Sequence, residues 1–175
     1  MYTFMTFFKQ ILFILMLISP TTLYADYVAK SISNIAGLTN NSVNCILEDS
    51  EHFIWIGTWD GLNVYDGRSL RSFRYNKGDS NSISNNVIRQ IIEDGAYLWV
   101  ATDNGINKLE KRTRVITRHY LGNKVPRKES SFVLIKSSNG GIYCLVKGHG
   151  VYLYDSHHDK FFSIKNKKLF KFLYN

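Results

Sequence analysis

Glu48-Asp49 and Glu93-Asp94 are the residue types from which acid–base catalysis is built, and the two pairs stand 45 residues apart. Cleavage by paired carboxylates needs both groups converging on one bond. Neighbours on a strand point to opposite faces, and both pairs stand where a strand meets a turn, so turn and edge roles suffice for them. His149, His157 and His158 are metal-ligand types. Adjacent histidines on a strand converge poorly on one ion, and no Cys/His/Asp array has ligand spacing, so no metal is expected. Cys45 and Cys144 fall at non-equivalent places with a whole repeat between them, which gives no basis for a disulfide. The chain has no Ser-His-Asp order, P-loop or GxGxxG pattern. No catalytic residue and no cofactor is expected.

Recognition chemistry is what remains. Trp59 lies in a turn between two expected strands, and a flat apolar ring there can cover the C–H face of a sugar. Partial burial against a neighbouring element fits the same residue. Asn40, Asn41, Asn85 and Asn86 lie in connecting loops, where their amides suit both sugar hydroxyls and turns. Trp59, Asn40, Asn41, Asn85 and Asn86 are therefore the candidate ligand-binding residues.

These residues are set in a tandem repeat. Val43-Asn44-Cys45-Ile46-Leu47-Glu48-Asp49, Phe53-Ile54-Trp55-Ile56-Gly57-Thr58 and Asp60-Gly61-Leu62-Asn63-Val64-Tyr65-Asp66 form a first copy. Ile88-Arg89-Gln90-Ile91-Ile92-Glu93-Asp94, Tyr97-Leu98-Trp99-Val100-Ala101-Thr102 and Asn104-Gly105-Ile106-Asn107-Lys108-Leu109-Glu110 form a second. The lead-in Leu38-Thr39-Asn40-Asn41 matches Ile83-Ser84-Asn85-Asn86. A weaker third copy runs through Phe132–Ile135, Gly141–Val146 and Gly150–Asp155, with Tyr143 in the place of Trp55 and Trp99. Asp-Gly and Asn-Gly pairs punctuate short runs rich in Val, Ile, Phe, Tyr and Trp, which is the signature of hairpin-linked strands. Four strands per unit of about 40–50 residues is the period of a propeller blade. Trp55, Trp99 and Tyr143 are expected between blades, and Gly61, Gly105 and Gly150 in equivalent turns.

The strings Leu38-Thr39-Asn40-Asn41-Ser42-Val43 through Ile54-Trp55-Ile56-Gly57-Thr58 to Gly61-Leu62-Asn63-Val64-Tyr65-Asp66 closely resemble the two-component regulator propeller repeat. So does the second copy through Leu98-Trp99-Val100-Ala101-Thr102. The resemblance implies the sensor region of a hybrid two-component system, one that binds oligosaccharides outside the inner membrane. Complete relatives continue into a membrane helix, a histidine kinase, a receiver and a DNA-binding domain, none of which this sequence shows. A protein-interaction module is the alternative, and a glycan-cleaving propeller enzyme the third reading.

Length and charge frame these expectations. The chain has 175 residues, 45% of them hydrophobic and 14% aromatic, which excludes a disordered chain. Lys9, the apolar run Ile11–Ile18, Pro20 and the small residue Ala25 form a secretory signal pattern, with cleavage expected after Ala25 and export to the periplasm. An uncleaved inner-membrane anchor is the alternative. Residues 26–110 carry 7 basic and 11 acidic residues, whereas residues 111–175 carry 14 basic and 3 acidic. With an export signal, that basic half is not read as nucleic-acid binding. The resulting expectation is all-β: a partial β-propeller of about three four-stranded antiparallel blades after an N-terminal signal helix. It divides into a signal peptide (1–25), a lead-in strand (26–37), blades over 38–80, 81–125 and 126–166, and an irregular basic tail (167–175). A closed ring takes about 4–8 blades, so we expect an open arc that self-associates through exposed blade surfaces, the truncated end of a longer gene.

Overall fold

Strands form where β-branched and aromatic residues alternate between two half-buried faces, and in this chain they do so twelve times among the described residues. The computed structural model describes residue 31 and residues 37–121 and 132–164. The expected signal segment, most of the lead-in strand and the basic tail lie outside the described residues. Three antiparallel sheets follow one another along the chain. The first is β1 (Val43–Glu48), β2 (Ile54–Thr58), β3 (Gly61–Tyr65) and β4 (Leu70–Phe73). The second is β5 (Ile88–Asp94), β6 (Tyr97–Thr102), β7 (Gly105–Glu110) and β8 (Ile116–His119). The third is β9 (Phe132–Lys136), β10 (Ile142–Val146), β11 (Gly150–Asp155) and β12 (Lys160–Ser163). Each sheet is a simple meander in which every strand pairs with its sequence neighbours.

The registers superpose the copies. Trp55 pairs with Val64, Trp99 with Lys108 and Tyr143 with Leu153. The first strands of the first two sheets share a bulge, at Asn44 between Val43 and Cys45 and at Arg89 between Ile88 and Gln90. Gly61, Gly105 and Gly150 open the third strands with φ of 138°, 126° and 103°, a region that L-residues rarely enter. A Cβ on Gly61 would also sit 2.9 Å from the carbonyl oxygen of Phe73.

The sheets pack face to face in sequence order. Trp55, Leu62 and Val64 of the first sheet bury against Ile88, Ile91, Leu98, Val100, Leu109 and Ile116 of the second. Trp99, Ala101 and Ile106 of the second bury against Phe132, Leu134, Ile142, Cys144, Val146 and Tyr152 of the third. Each tryptophan thus faces the next sheet in the chain, and burying so large a side chain stabilises by roughly 3 kcal/mol. Gly57 lets the first two sheets approach closely, since a Cβ there would meet Ile88 Cγ2 at 2.6 Å. Tyr143 differs from Trp55 and Trp99. Its neighbours Ile142 and Cys144 enter the core, so Tyr143 points to the opposite face and is only half-buried. Val133, Ile135 and Phe162 are exposed.

A polar knot ties each lead-in to its own sheet. Asn63 is wholly buried; its Oδ1 accepts the Thr39 N–H at 3.2 Å, and its Nδ2 donates to Thr39 Oγ1 at 2.8 Å and to the Ile56 carbonyl at 3.2 Å. The Thr39 and Thr58 hydroxyls bond at 2.8 Å. The second copy repeats it: Asn107 accepts the Ser84 N–H at 2.8 Å and donates to Ser84 Oγ at 3.0 Å and the Val100 carbonyl at 3.2 Å, with Ser84 and Thr102 hydroxyls at 2.8 Å. The third copy substitutes Tyr152 for the asparagine and Val146 for the threonine, both buried in the apolar core.

An ionic clamp joins the first two sheets. Glu93 accepts the Ser50 N–H at 3.0 Å, the Ser50 hydroxyl at 2.6 Å and the Lys111 ammonium at 2.7 Å. Lys111 is buried and also reaches Glu51 at 3.1 Å. Burial pushes the Glu93 carboxyl up, but the Lys111 and Ser50 hydrogen bonds outweigh it and hold the group at about 2, down from 4.5.

Two outcomes follow. Replacing Asn107 by Ala strands buried partners on two segments, so Asn107→Ala should cost about 3 kcal/mol. Urea denaturation reads this, and a loss under about 0.5 kcal/mol, the level of an ordinary surface change, would contradict the knot's role. Because the folded Glu93 titrates below its unfolded value, its contribution is complete above about pH 4.5 and disappears as pH falls towards 2. The gap in urea midpoint between wild type and Glu93→Gln should therefore shrink across that window. A gap independent of pH would exclude the charged clamp.

Candidate functional site

The lead-in loops and the β2–β3 and β6–β7 turns lie at one end of the first two sheets. Backbone bonds fix this: Trp59 N–H donates to Ser42 O at 3.1 Å, and Asp103 N–H to Val87 O at 3.2 Å. Thr58 and Thr102, members of the polar knots, close the turns by donating to the Gly61 and Gly105 carbonyls. The scaffold thus rigidly presents the side chains between these closures.

Trp59 is half-exposed at 50%. The Arg89 guanidinium lies 4.8 Å from its ring centroid, in cation–π geometry. Asp103 holds Arg89 bidentately, with Nε at 2.6 Å and Nη2 at 2.9 Å. The Asp103 hydrogen bond pushes Arg89 above its usual value, so the guanidinium is firmly charged. One blade contributes the ring, and the next contributes both the bulged Arg89 and the turn residue Asp103. The stack therefore spans two repeats. Beside it, Arg74 donates to the Asp60 carboxylate at 2.8 Å, and Asn86 Nδ2 donates to the other Asp60 oxygen at 3.0 Å.

The asparagines divide by what they already do. Asn86 is used at both ends of its amide, since its Oδ1 also accepts the Tyr75 N–H at 2.7 Å. Asn40 and Asn85 cap short turns by accepting the N–H two residues on, from Ser42 at 2.7 Å and Val87 at 2.8 Å. Asn41 is engaged as well. Trp59, Asn86 and the Asn40 and Asn85 turns therefore share one end of the molecule, with Trp59 the large exposed surface among them. Arg89, Asp60 and Arg74 were not singled out in the sequence. A signal for Arg89 existed: it occupies the bulge position that Asn44 holds in the first copy, where Asn44 instead donates to the Ile88 carbonyl at 2.7 Å.

Elsewhere the titratable groups serve the fold. Asp49, buried, accepts Trp55 Nε1–H at 2.8 Å and the N–H groups of Glu51 and Phe53. Asp94, its counterpart, instead pairs with Lys136 at 3.1 Å, joining the second and third sheets. Cys45 and Cys144 are free thiols, each pushed up by burial, to about 11 and about 12. His157 and His158 sit in a turn closed by Asp155.

Residues 37–60 match the family model described as two component regulator propeller. That match runs from the lead-in loop into the β2–β3 turn of the first sheet. A histidine kinase from Formosa agariphila, "Histidine kinase P4", is 42% identical over 77 residues, which is 44% of this chain and 6% of the kinase. The extracellular domain of the hybrid two component system BT3049 from B. thetaiotaomicron aligns over 79% of this chain with a TM-score of 0.67 at 22% identity. That likeness shows the fold, three successive propeller blades. The chain spans 20% of that solved chain and a still smaller share of the kinase.

The propeller repeat buries two of the three tryptophans, Trp55 and Trp99, and leaves Trp59 half in solvent. Iodide should quench one population of the fluorescence and spare the rest. Trp59→Phe should abolish the quenched fraction, and an unchanged quenching curve would refute this placement.

Proposed function

We propose that this chain is the ligand-sensing, exported part of a hybrid two-component regulator, and that an oligosaccharide docks on the Trp59 end. The observation that carries this reading is the Trp59–Arg89–Asp103 stack. A ring held flat by a guanidinium, itself locked by a carboxylate, offers an apolar platform edged by fixed hydrogen-bond donors and acceptors. Sugars present the complementary surface: C–H faces ringed by hydroxyls. The platform needs little ordering on binding, which favours affinity at a small site. The similarity to a histidine kinase and the propeller repeat support a role in signal reception. In this reading the chain's share is recognition, with catalysis belonging to a kinase elsewhere. Export follows from the N-terminal signal pattern, with the mature chain beginning at Asp26 in the periplasm.

A second reading has its own observation. Val133, Ile135 and Phe162 are exposed on the third sheet, and exposed apolar rows favour association with another chain. Here the propeller would act as an interaction module.

A glycan panel titrated into the full chain separates the two. Binding that shifts Trp59 fluorescence and weakens about tenfold or more in Trp59→Ala, a loss of about 1.4 kcal/mol, supports the sensor reading. A panel with no binder, together with a stable protein complex that Ile135→Ser dissolves, supports the interaction module instead.

A further inference from the structure

At the opposite end of the same sheets lies a second concavity. Successive turns of a meander alternate between the two ends of its strands, so the β3–β4 and β7–β8 turns stand away from the Trp59 end. Between them is a cavity of about 280 Å³ lined by Phe53, Val64, Asp66, Arg71, Arg112 and Arg114, with Ser69 at its rim. That is several times the roughly 30 Å³ that one water occupies in the liquid.

The chemistry of the lining is lopsided. Three guanidinium groups share it with one carboxylate. That carboxylate, Asp66, is committed to its own turn: it accepts the N–H groups of Arg68 at 2.8 Å and Ser69 at 2.6 Å, and the Ser69 hydroxyl at 2.8 Å. Among the described residues, Arg71 has no ion-pair partner, and Arg112 has only Glu110 at 4.0 Å. Arg114 is the most constrained of the three. Its guanidinium stacks 4.9 Å from Trp55 and 5.3 Å from Phe53, which fixes its plane. Its Nη1 is buried and donates to no acceptor among the described residues. Its backbone takes φ of 63°, in the left-handed region that non-glycine residues seldom occupy. Burial, then the Arg71 charge, lowers Arg114 from its ordinary value, partly countered by Asp49 and Glu51. A guanidinium stays protonated in proteins, so the positive charge here is under-compensated.

We propose that this arginine cleft is an anion site that takes one oxyanion group, a carboxylate, sulfate or phosphate, with Arg114 Nη1 and Arg71 as its principal donors. Planar forks of N–H donors match such groups, and charge-assisted hydrogen bonds are the stronger class. The contacts with Trp55 and Phe53 hold Arg114 in place in advance, and Phe53 lines the cleft beside it. The site is separate from the sugar platform and stands or falls without it.

The test uses the full chain and three probes: sulfate, inorganic phosphate and glucuronate, followed by isothermal titration calorimetry. One saturable site per chain is expected, weakened about tenfold or more in both Arg114→Gln and Arg71→Gln and unchanged in Lys147→Gln, an exposed turn position on the third sheet. The more exposed Arg71 variant keeps the test valid where Arg114→Gln fails to fold, and thermal melts report on that. Tighter binding of glucuronate than of the inorganic ions assigns the site to a charged sugar; the reverse assigns it to a free ion. Absence of saturation with all three probes, or equal binding by wild type and Arg71→Gln, overturns the proposal.

Discussion

A sheet whose alternate residues are apolar on both sides cannot leave either face to water without losing the burial that holds it together. Every other feature of this chain answers to that demand. Trp55 on the first sheet is satisfied only because the second sheet supplies Leu98 and Val100, and Trp99 only because the third supplies Leu134 and Cys144. Apolar contact is non-directional, however, and by itself would let sheets slide. The buried asparagine knots give it direction. Asn63 and Asn107 bond a lead-in residue and the strand alongside, so each sheet is registered against the connection that precedes it. The third copy, with Tyr152 and Val146 at these positions, relies on hydrophobic packing there.

Two chemistries are thereby sorted to different places. The strands carry the packing, and the most freely varied residues stand in turns and at bulges, where substitution disturbs no core neighbour. Trp59, Asp103 and His149 occupy the same turn in three copies and have nothing in common but position. Asn44 and Arg89 share a bulge and reach for different partners. The Trp59–Arg89–Asp103 stack is assembled from what the repeat leaves unconstrained, by sides of adjacent copies meeting across a blade boundary.

The periodic part of this arrangement was legible in the sequence. Strand positions, the turns at Gly61, Gly105 and Gly150, and the burial of Trp55 and Trp99 follow from recurrence at a fixed spacing. The cross-sheet pairs were not legible, because they join residues that no periodicity relates. Glu93 with Lys111 and Ser50, and Arg89 with Trp59, depend on side-chain reach across a gap set by packing. The acidic pairs show the limit well. Glu48-Asp49 and Glu93-Asp94 read alike, yet Asp49 turns inward to Trp55 while Asp94 turns outward to Lys136. Tyr143 shows it again: the equivalent position is core only where a following sheet covers it.

The divergence of those acidic pairs comes from one residue in a hairpin. Between the equivalent pairs Glu48–Ile54 and Glu93–Leu98, the first hairpin has one residue more than the second. The longer turn folds Asp49 beneath the indole, whereas the shorter one keeps Asp94 in the ladder opposite Tyr97. The copies are consequently not spare parts for one another. Unequal crossing-over between them, the ordinary route by which tandem arrays grow and shrink, would produce hybrids whose indole and carboxylate no longer meet. A gene conversion tract that carried Ala101 into the place of Gly57 would drive a methyl group into Ile88, and one ending inside the first hairpin would part the indole from its carboxylate. The lineage of such an array is thus written in its hairpin lengths as much as in its motif.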